Sequence, residues 1–400
     1  MKHNFDTIIE RKHTDCLKYD FAVQRGKPEN VLPLWVADMD FKVSDKILEA
    51  IQDRVFHGIF GYTETGKSYF EAVAKWMRDR HGWEIRQNWL VKTPGVVFAL
   101  AMAVKAYTKE GDAILIQQPV YYPFTEVIED NNRRVVSSDL ILQSDGKYHI
   151  DFEDFEEKII KNDIRLFLLC SPHNPVSRVW TKEELLQIGE ICVKHHVVVV
   201  ADEIHEDFVF GDRQHHVFAN LCEDFKQISI TCTSPAKTFN LAGLQISNIL
   251  IPNRTLRTSF KRQIAAAGYS QLNTIGITAC EAAYREGLDW YEDMIRYIES
   301  NISFLRDYLN NEIPQLKMIE PEGTYLIWID FRKLGLTEPE LEHLIVKDAN
   351  LWLDSGAIFG KTGEGFERIN IACPRKILKQ ALDQLRIAVR SKVSEKQITS

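Results

Sequence analysis

A parallel α/β sheet within a chain of two domains is what the sequence predicts, and three observations carry that expectation. The chain has 400 residues, beyond the roughly 250–300 at which a single hydrophobic core usually stops growing. Between about residue 90 and residue 251, short apolar runs alternate with stretches of helical periodicity, the pattern of a parallel sheet covered by helices. After residue 251 the texture changes to long amphipathic helices. The expected division is a large α/β domain over 45–285 and a smaller α+β domain made of 1–44 and 286–400.

Taken in order, Ser44 to Phe56 places Ile47, Ala50, Ile51 and Val55 at helical spacing, and Gly66 is the turn before a helix over Lys67 to Arg80. A strand follows at Leu90 to Lys92, then a helix from Val96 that Gly111 ends, then strands at Ala113 to Gln117, Arg165 to Cys170 and Val197 to Ala201. Between the last two, Thr181 with Glu184 three residues on is a capping box, and Leu185, Ile188, Ile191 and Cys192 share one helical face. Val197 to Val200, all valine, reads as a strand buried on both faces. Ile228 to Thr231 and Ile246 to Ile251 are further strands, and helices are expected at about Thr274 to Arg285 and Trp290 to Asn311. Thr324 to Asp330 is expected to be an antiparallel strand with one solvated face.

Composition excludes several classes. With 45% hydrophobic, 10% aromatic and 26% charged residues, the chain can bury a large core and is not disordered. A net charge of −8 without a basic stripe argues against a nucleic-acid partner. The longest apolar run, Val96 to Val104, is nine residues, against the ~20 of a membrane span. The opening MKHNFDTIIERKHTDC has no apolar h-region, so a cytoplasmic protein is expected. Seven cysteines without a CxxC pair fit reduced thiols, and no metal site is expected. The adjacent pairs His195/His196 and His215/His216 do not change this, because neighbouring side chains point apart.

One motif points elsewhere. Residues 61–68, GYTETGKS, fit the Walker A pattern, and VVVVADE could pass for a Walker B strand, so a P-loop ATPase is a rival reading. That motif needs a buried strand just before its first glycine so that backbone amides cradle the phosphates. Here a helix precedes Gly61 and only HGIF remains as a candidate strand.

Chemistry concentrates in three loops, each after a strand: SPHNPVSR, DEIHEDF and TSPAKTF. In an open parallel sheet such loops converge on the ligand crevice. They would bring Asn174, Asp202, His205, Ser234 and Lys237 together, an amide, an acid, an imidazole, a hydroxyl and a lysine. This is the equipment for holding an aromatic, phosphorylated aldehyde through a lysine imine.

The motifs WVADMDF, FGYTETG, TPGV, SPHNP, ADEIH, AKTFNLAGLQ and RINIACPR occur in the order found in fold-type I pyridoxal-phosphate (PLP) enzymes of the aspartate aminotransferase superfamily. In detail the chain resembles the MalY/PatB branch, cystathionine β-lyase-like C–S lyases. The resemblance covers almost the whole chain and implies a large domain with a mainly parallel seven-stranded sheet, PLP as cofactor, an amino-acid substrate and a homodimer with shared active sites.

By that resemblance Lys237 is the lysine that forms the imine with the cofactor and moves the substrate Cα proton, which requires a lowered pKa. Asp202 pairs with the pyridinium nitrogen, Asn174 donates to the phenolic oxygen, and Tyr121 stacks on the ring. Phosphate binding falls to Ser234, to the amides of Val96 and Val97 at a helix start, and to Tyr62 reaching in from the other subunit. Arg368, in RINIACP, clamps the substrate carboxylate, with Arg375 as its competitor.

Two positions depart from the aminotransferases. His205 stands where they carry a tyrosine on the phenolic oxygen, and Gln245, eight residues past Lys237, where they carry a phosphate-binding arginine. Both changes fit the lyase branch. The implied reaction is β-elimination of L-cystathionine and related L-cysteine S-conjugates to a thiol, pyruvate and ammonia. An aminotransferase is the nearer alternative, and a PLP-binding regulatory protein, like the ATPase, a more remote one.

Overall fold

A computed structural model describes residues 2–399. Seven short strands form one sheet: β1 (Leu90–Thr93), β2 (Ala113–Ile116), β3 (Arg134–Ser137), β4 (Leu166–Cys170), β5 (Val198–Asp202), β6 (Ser229–Thr233) and β7 (Ser247–Leu250). Their spatial order is β1-β7-β6-β5-β4-β2-β3. From β6 to β3 the neighbours are parallel, and β7 runs antiparallel to both β1 and β6. Every residue of β2, β4, β6 and β7 is buried, and β2 and β4 are unbroken apolar runs for that reason.

Register positions the site. Cys170 pairs with Asp202 and Asp202 with Cys232, so β4, β5 and β6 end side by side and their loops leave the sheet together.

The helices follow their local signals. α1 (Asp45–His57) starts where Ser44 accepts the N–H of Lys46 and stops at Gly58, whose φ of 75° a side chain would resist. α2 (Lys67–His81) follows an irregular 58–66 segment, and α3 (Val96–Tyr107) begins two residues after β1. α3 ends before Gly111, because Thr108 turns its hydroxyl back onto the Val104 carbonyl. α4 (Lys182–Lys194) has the expected capping box: Glu184 N–H donates to Thr181 Oγ1 and Thr181 N–H to Glu184 Oε2, a device whose capping bond stabilises by ~1 kcal/mol.

Helices α5 (Thr274–Glu286) and α6 (Leu288–Glu312) lead to a four-stranded antiparallel sheet of β8 (Lys317–Met318), β9 (Leu326–Asp330), β10 (Asp354–Ser355) and β11 (Phe366–Asn370), in the order β8-β9-β11-β10. The chain then runs into α7 (Arg375–Thr399). β9 corrects one expectation: neither of its faces is solvated. Leu326, Ile327 and Ile329 join the cluster under α6 and α7, while Trp328 stacks on Phe366 at 5.1 Å and meets Phe359 edge-on. Leu326 to Ile329 is an unbroken apolar run, and all four residues are buried.

The N-terminal arm is stitched to the C-terminal part through Leu32–Pro33, which pairs in parallel with Leu351–Trp352. One apolar cluster runs from Phe5 and Leu34 through Ile47 and Met294 to Leu382. Among the described residues no helix is long and apolar enough to cross a membrane.

Candidate active site

Where β4, β5 and β6 end, a cavity of about 190 Å³ opens. Its lining includes Val96, Val97, Tyr121, Asn174, Asp202, His205, Ser234 and Lys237, so eight of the ten residues singled out from sequence face one space. The remaining two, Arg368 and Tyr62, lie elsewhere.

Lys237 sits not in an open loop, as its strand-to-strand position suggested, but in a four-residue helix, Pro235–Thr238, that Ser234 caps by accepting the N–H of Ala236. Its Nζ donates to the Ala37 carbonyl at 2.7 Å. Burial lowers its pKa to about 8, with Arg368 pressing the same way and Asp38 and Asp202 opposing. Much of this amine is therefore uncharged at mildly alkaline pH, as a nucleophile and proton carrier must be.

Asp202 closes β5. Burial raises its carboxyl to about 7, although the N–H of Ile204 and the charge of Lys237 hold it down. Such a group favours a cationic N–H partner over water. His205 is buried, its Nδ1 has no hydrogen-bond partner, and burial with Lys237 and Arg368 nearby holds the ring neutral. Asn174 accepts from Arg368 Nη1 at 3.0 Å, which leaves its NH₂ as a donor. The N–H of Tyr121 donates to the Asn174 carbonyl, tying the two loops together.

α3 points its first turn at the same space. Gly95 caps it without a side chain, so the amides of Val96 and Val97 face the cavity free of a capping group. Ser234 is already engaged, its one hydroxyl hydrogen going to the Ile246 carbonyl at 2.7 Å.

Arg368, on β11, is 2% exposed and reaches the site through Asn174. It also donates to the Trp35 carbonyl and pairs with Asp354. Its competitor Arg375 bonds Asn301 and Ser300 at the start of α7, away from the cavity. Tyr62 is 98% exposed and absent from the cavity lining. The Walker-like segment has no strand before it, and Lys67 points outward to Glu71, so the phosphate cradle of an ATPase is not built here.

Two contributors escaped sequence reasoning. The Ala37 carbonyl, which takes hydrogen bonds from both Lys237 and the Tyr325 hydroxyl, lies inside WVADMDF, where the motif itself was a signal. Asp354, the partner of Arg368, sits in LWLDSG and gave none.

These residues fit PLP. An uncharged lysine faces an aldehyde, an acid that titrates near 7 suits a ring nitrogen, His205 leaves a buried nitrogen orphaned at the cavity, and an uncapped helix start suits a phosphate.

Comparison with known proteins agrees. The family profile for aminotransferase class I and II matches residues 29–385. Cystathionine beta-lyase PatB of Bacillus subtilis is 43% identical over 386 residues, 96% of this chain and 100% of that one. Protein MalY of Escherichia coli is 30% identical over 391 residues, 97% of this chain and 99% of that one. The crystal structure of cystalysin from Treponema denticola, which contains a pyridoxal 5'-phosphate cofactor, superposes with a TM-score of 0.94 at 38% identity, covering 98% of this chain and 100% of that one. The chain belongs to the aminotransferase class I and II family.

Proposed function

We propose that this protein is a PLP-dependent carbon–sulfur lyase that cleaves L-cystathionine and related L-cysteine S-conjugates, with water, into a thiol, pyruvate and ammonia. The carrying observation is the placement of Lys237, with its pKa lowered to about 8, in one cavity with Asp202, Asn174 and an uncapped helix start. The names of its relatives, cystathionine beta-lyase and cystalysin, support the lyase over the aminotransferase.

PLP, when bound, supplies the aldehyde that joins the amino group and a ring that takes up the electron pair left by the Cα proton. Lys237 Nζ accepts that proton and is suited to returning one to the departing sulfur. Asp202 holds a proton at the ring nitrogen, and Asn174 donates from its NH₂. Arg368, fixed by Asp354, Trp35 and Asn174, offers its guanidinium to the substrate carboxylate. The amides of Val96 and Val97 and the Ser234 hydroxyl, released from Ile246, hold the phosphate, Tyr121 packs on the ring, and neutral His205 lies beside it.

We further propose a cytoplasmic homodimer in which Tyr62 completes the neighbouring subunit's phosphate site. Tyr62 stands beside Phe56, Ile59 and Phe60, which are 85%, 66% and 58% exposed, an apolar patch of the kind a second copy covers. Residues 45–285 serve as the cofactor-binding domain, with 1–44 and 286–400 as the smaller one.

The test is L-cystathionine with purified protein and no keto acid. Pyruvate and free thiol in equal amounts are expected, and turnover that requires a keto acid would establish the aminotransferase instead.

A further inference from the structure

Outside the cavity, three carboxyl groups and two imidazoles meet in the interior. His81, at the end of α2, and Glu203, Glu206, Asp207 and His215, in and after the loop that follows β5, have side chains no more than 4% exposed. None of them lines the Lys237 cavity. They form two triads that share Glu206: His81, Glu206 and Asp207, and Glu203, Glu206 and His215. Within each triad the ligand atoms lie within 4.8 Å of one another.

His81 Nε2 is 3.0 Å from Asp207 Oδ1 and 3.8 Å from Glu206 Oε2, and His215 Nε2 is 3.0 Å from Glu203 Oε2. The edge of a tetrahedron with zinc bonds of ~2.0–2.1 Å is ~3.3 Å, so these spacings bracket a zinc polyhedron. Pairing each imidazole with a carboxylate accounts for Asp207 and Glu203 and leaves Glu206. That side chain is 3% exposed, and its Oε2 has no hydrogen-bond partner. Burying a carboxyl unpartnered is costly, and a cation removes the cost.

The surroundings are built as metal sites are. Asp207 also accepts from Trp76 Nε1 at 3.1 and 3.2 Å and from Thr238 Oγ1 at 2.6 Å, and Glu203 Oε1 accepts the Phe218 N–H at 2.9 Å. Such outer bonds orient carboxylate ligands. A surface cavity of about 280 Å³ has both His81 and His215 in its wall and gives an entry path.

We propose that this cluster binds one divalent transition cation of the zinc class in one of its two triads, with Glu206, the residue common to both, as a ligand. Imidazole and carboxylate donors together suit zinc. Because Asp207 also holds Thr238, next to Lys237, an ion in its triad would tie α2, the β5 loop and the lysine turn into one unit.

The experiment uses the holoenzyme loaded with Zn²⁺, stripped of loose ion and analysed for zinc, beside the Glu206→Gln variant. Wild type should retain one ion per chain more than the variant, whose affinity should fall about tenfold or more. Both proteins keep every cysteine, so thiol-bound zinc cancels in the difference. Equal retention in the two, or none in wild type, overturns the proposal. Should the variant fail to fold, anomalous scattering at the zinc edge from wild-type crystals decides: a peak at Glu206 supports the site, and its absence there refutes it.

Discussion

The loops after β4, β5 and β6 and the segment of residues 58–66 both mix polar, aromatic and small residues, yet the chain treats them in opposite ways. Asn174, Asp202, His205 and Ser234 are between 2% and 5% exposed, whereas Ile59, Phe60 and Tyr62 are 66%, 58% and 98% exposed. The first region rests on three strands that end level, and Asn174, Asp202 and Ser234 each hold a hydrogen-bond partner inside one chain. The second is itself neither strand nor helix, and its apolar rings are exposed. The first region holds its polar groups inside one chain, whereas the second leaves apolar surface exposed.

The largest expected effect tests the first region. Lys237→Ala should lower pyruvate release by about 10³-fold or more, since it removes both the covalent anchor and the proton carrier. An unchanged circular dichroism spectrum with retained turnover would falsify the assignment. Asp202→Asn should cost about 10²- to 10³-fold in kcat, the scale of losing one preorganised electrostatic contact. Single-turnover kinetics check whether the loss lies in the proton-transfer step.

Arg368→Lys keeps the charge but loses the planar fork, so KM should rise about 10- to 100-fold, the equivalent of a charged hydrogen bond worth ~1.5–3 kcal/mol. Steady-state kinetics with L-cystathionine read this split, and a change confined to kcat would assign the carboxylate to another residue. The other region is tested by Tyr62→Phe. An exposed hydroxyl in an isolated chain should be silent, whereas a cross-subunit phosphate ligand should weaken PLP binding by about 5- to 10-fold, one ordinary hydrogen bond. Spectral titration of the apo-protein with PLP separates the two.

The smallest effect is a pH dependence. Protonated Lys237 cannot attack an aldehyde, and its pKa is lowered to about 8. Capture of PLP by the apo-protein should therefore quicken as pH rises toward 8 and level off above it. A rate still climbing near pH 10 would mean an ordinary, solvated lysine.

Much of this was legible in the chain before folding. The capping box at Thr181 and Glu184, the apolar run of β4 and the valines of β5 are local signals, and local signals survive into structure because hydrogen bonding and burial act on the same few residues. The site loops were legible because each stands directly after such a strand. Less legible was whatever depends on a neighbour remote in sequence. The solvated face expected for β9 is instead covered by Phe359 and Phe366, rings that come from 29 or more residues further along the chain. Asp354 as the partner of Arg368 was invisible for the same reason.

By itself the sequence determined six of the seven strands of the large sheet, helices α1 to α6 and the order of the family motifs, because periodicity and turn chemistry are written into adjacent residues. Only the tertiary structure decided that β7 runs against its neighbours, that Lys237 reaches the Ala37 carbonyl, and that His81 and His215 both come near Glu206. Those facts depend on which surfaces meet when the apolar faces are buried together, and burial is a property of the whole chain.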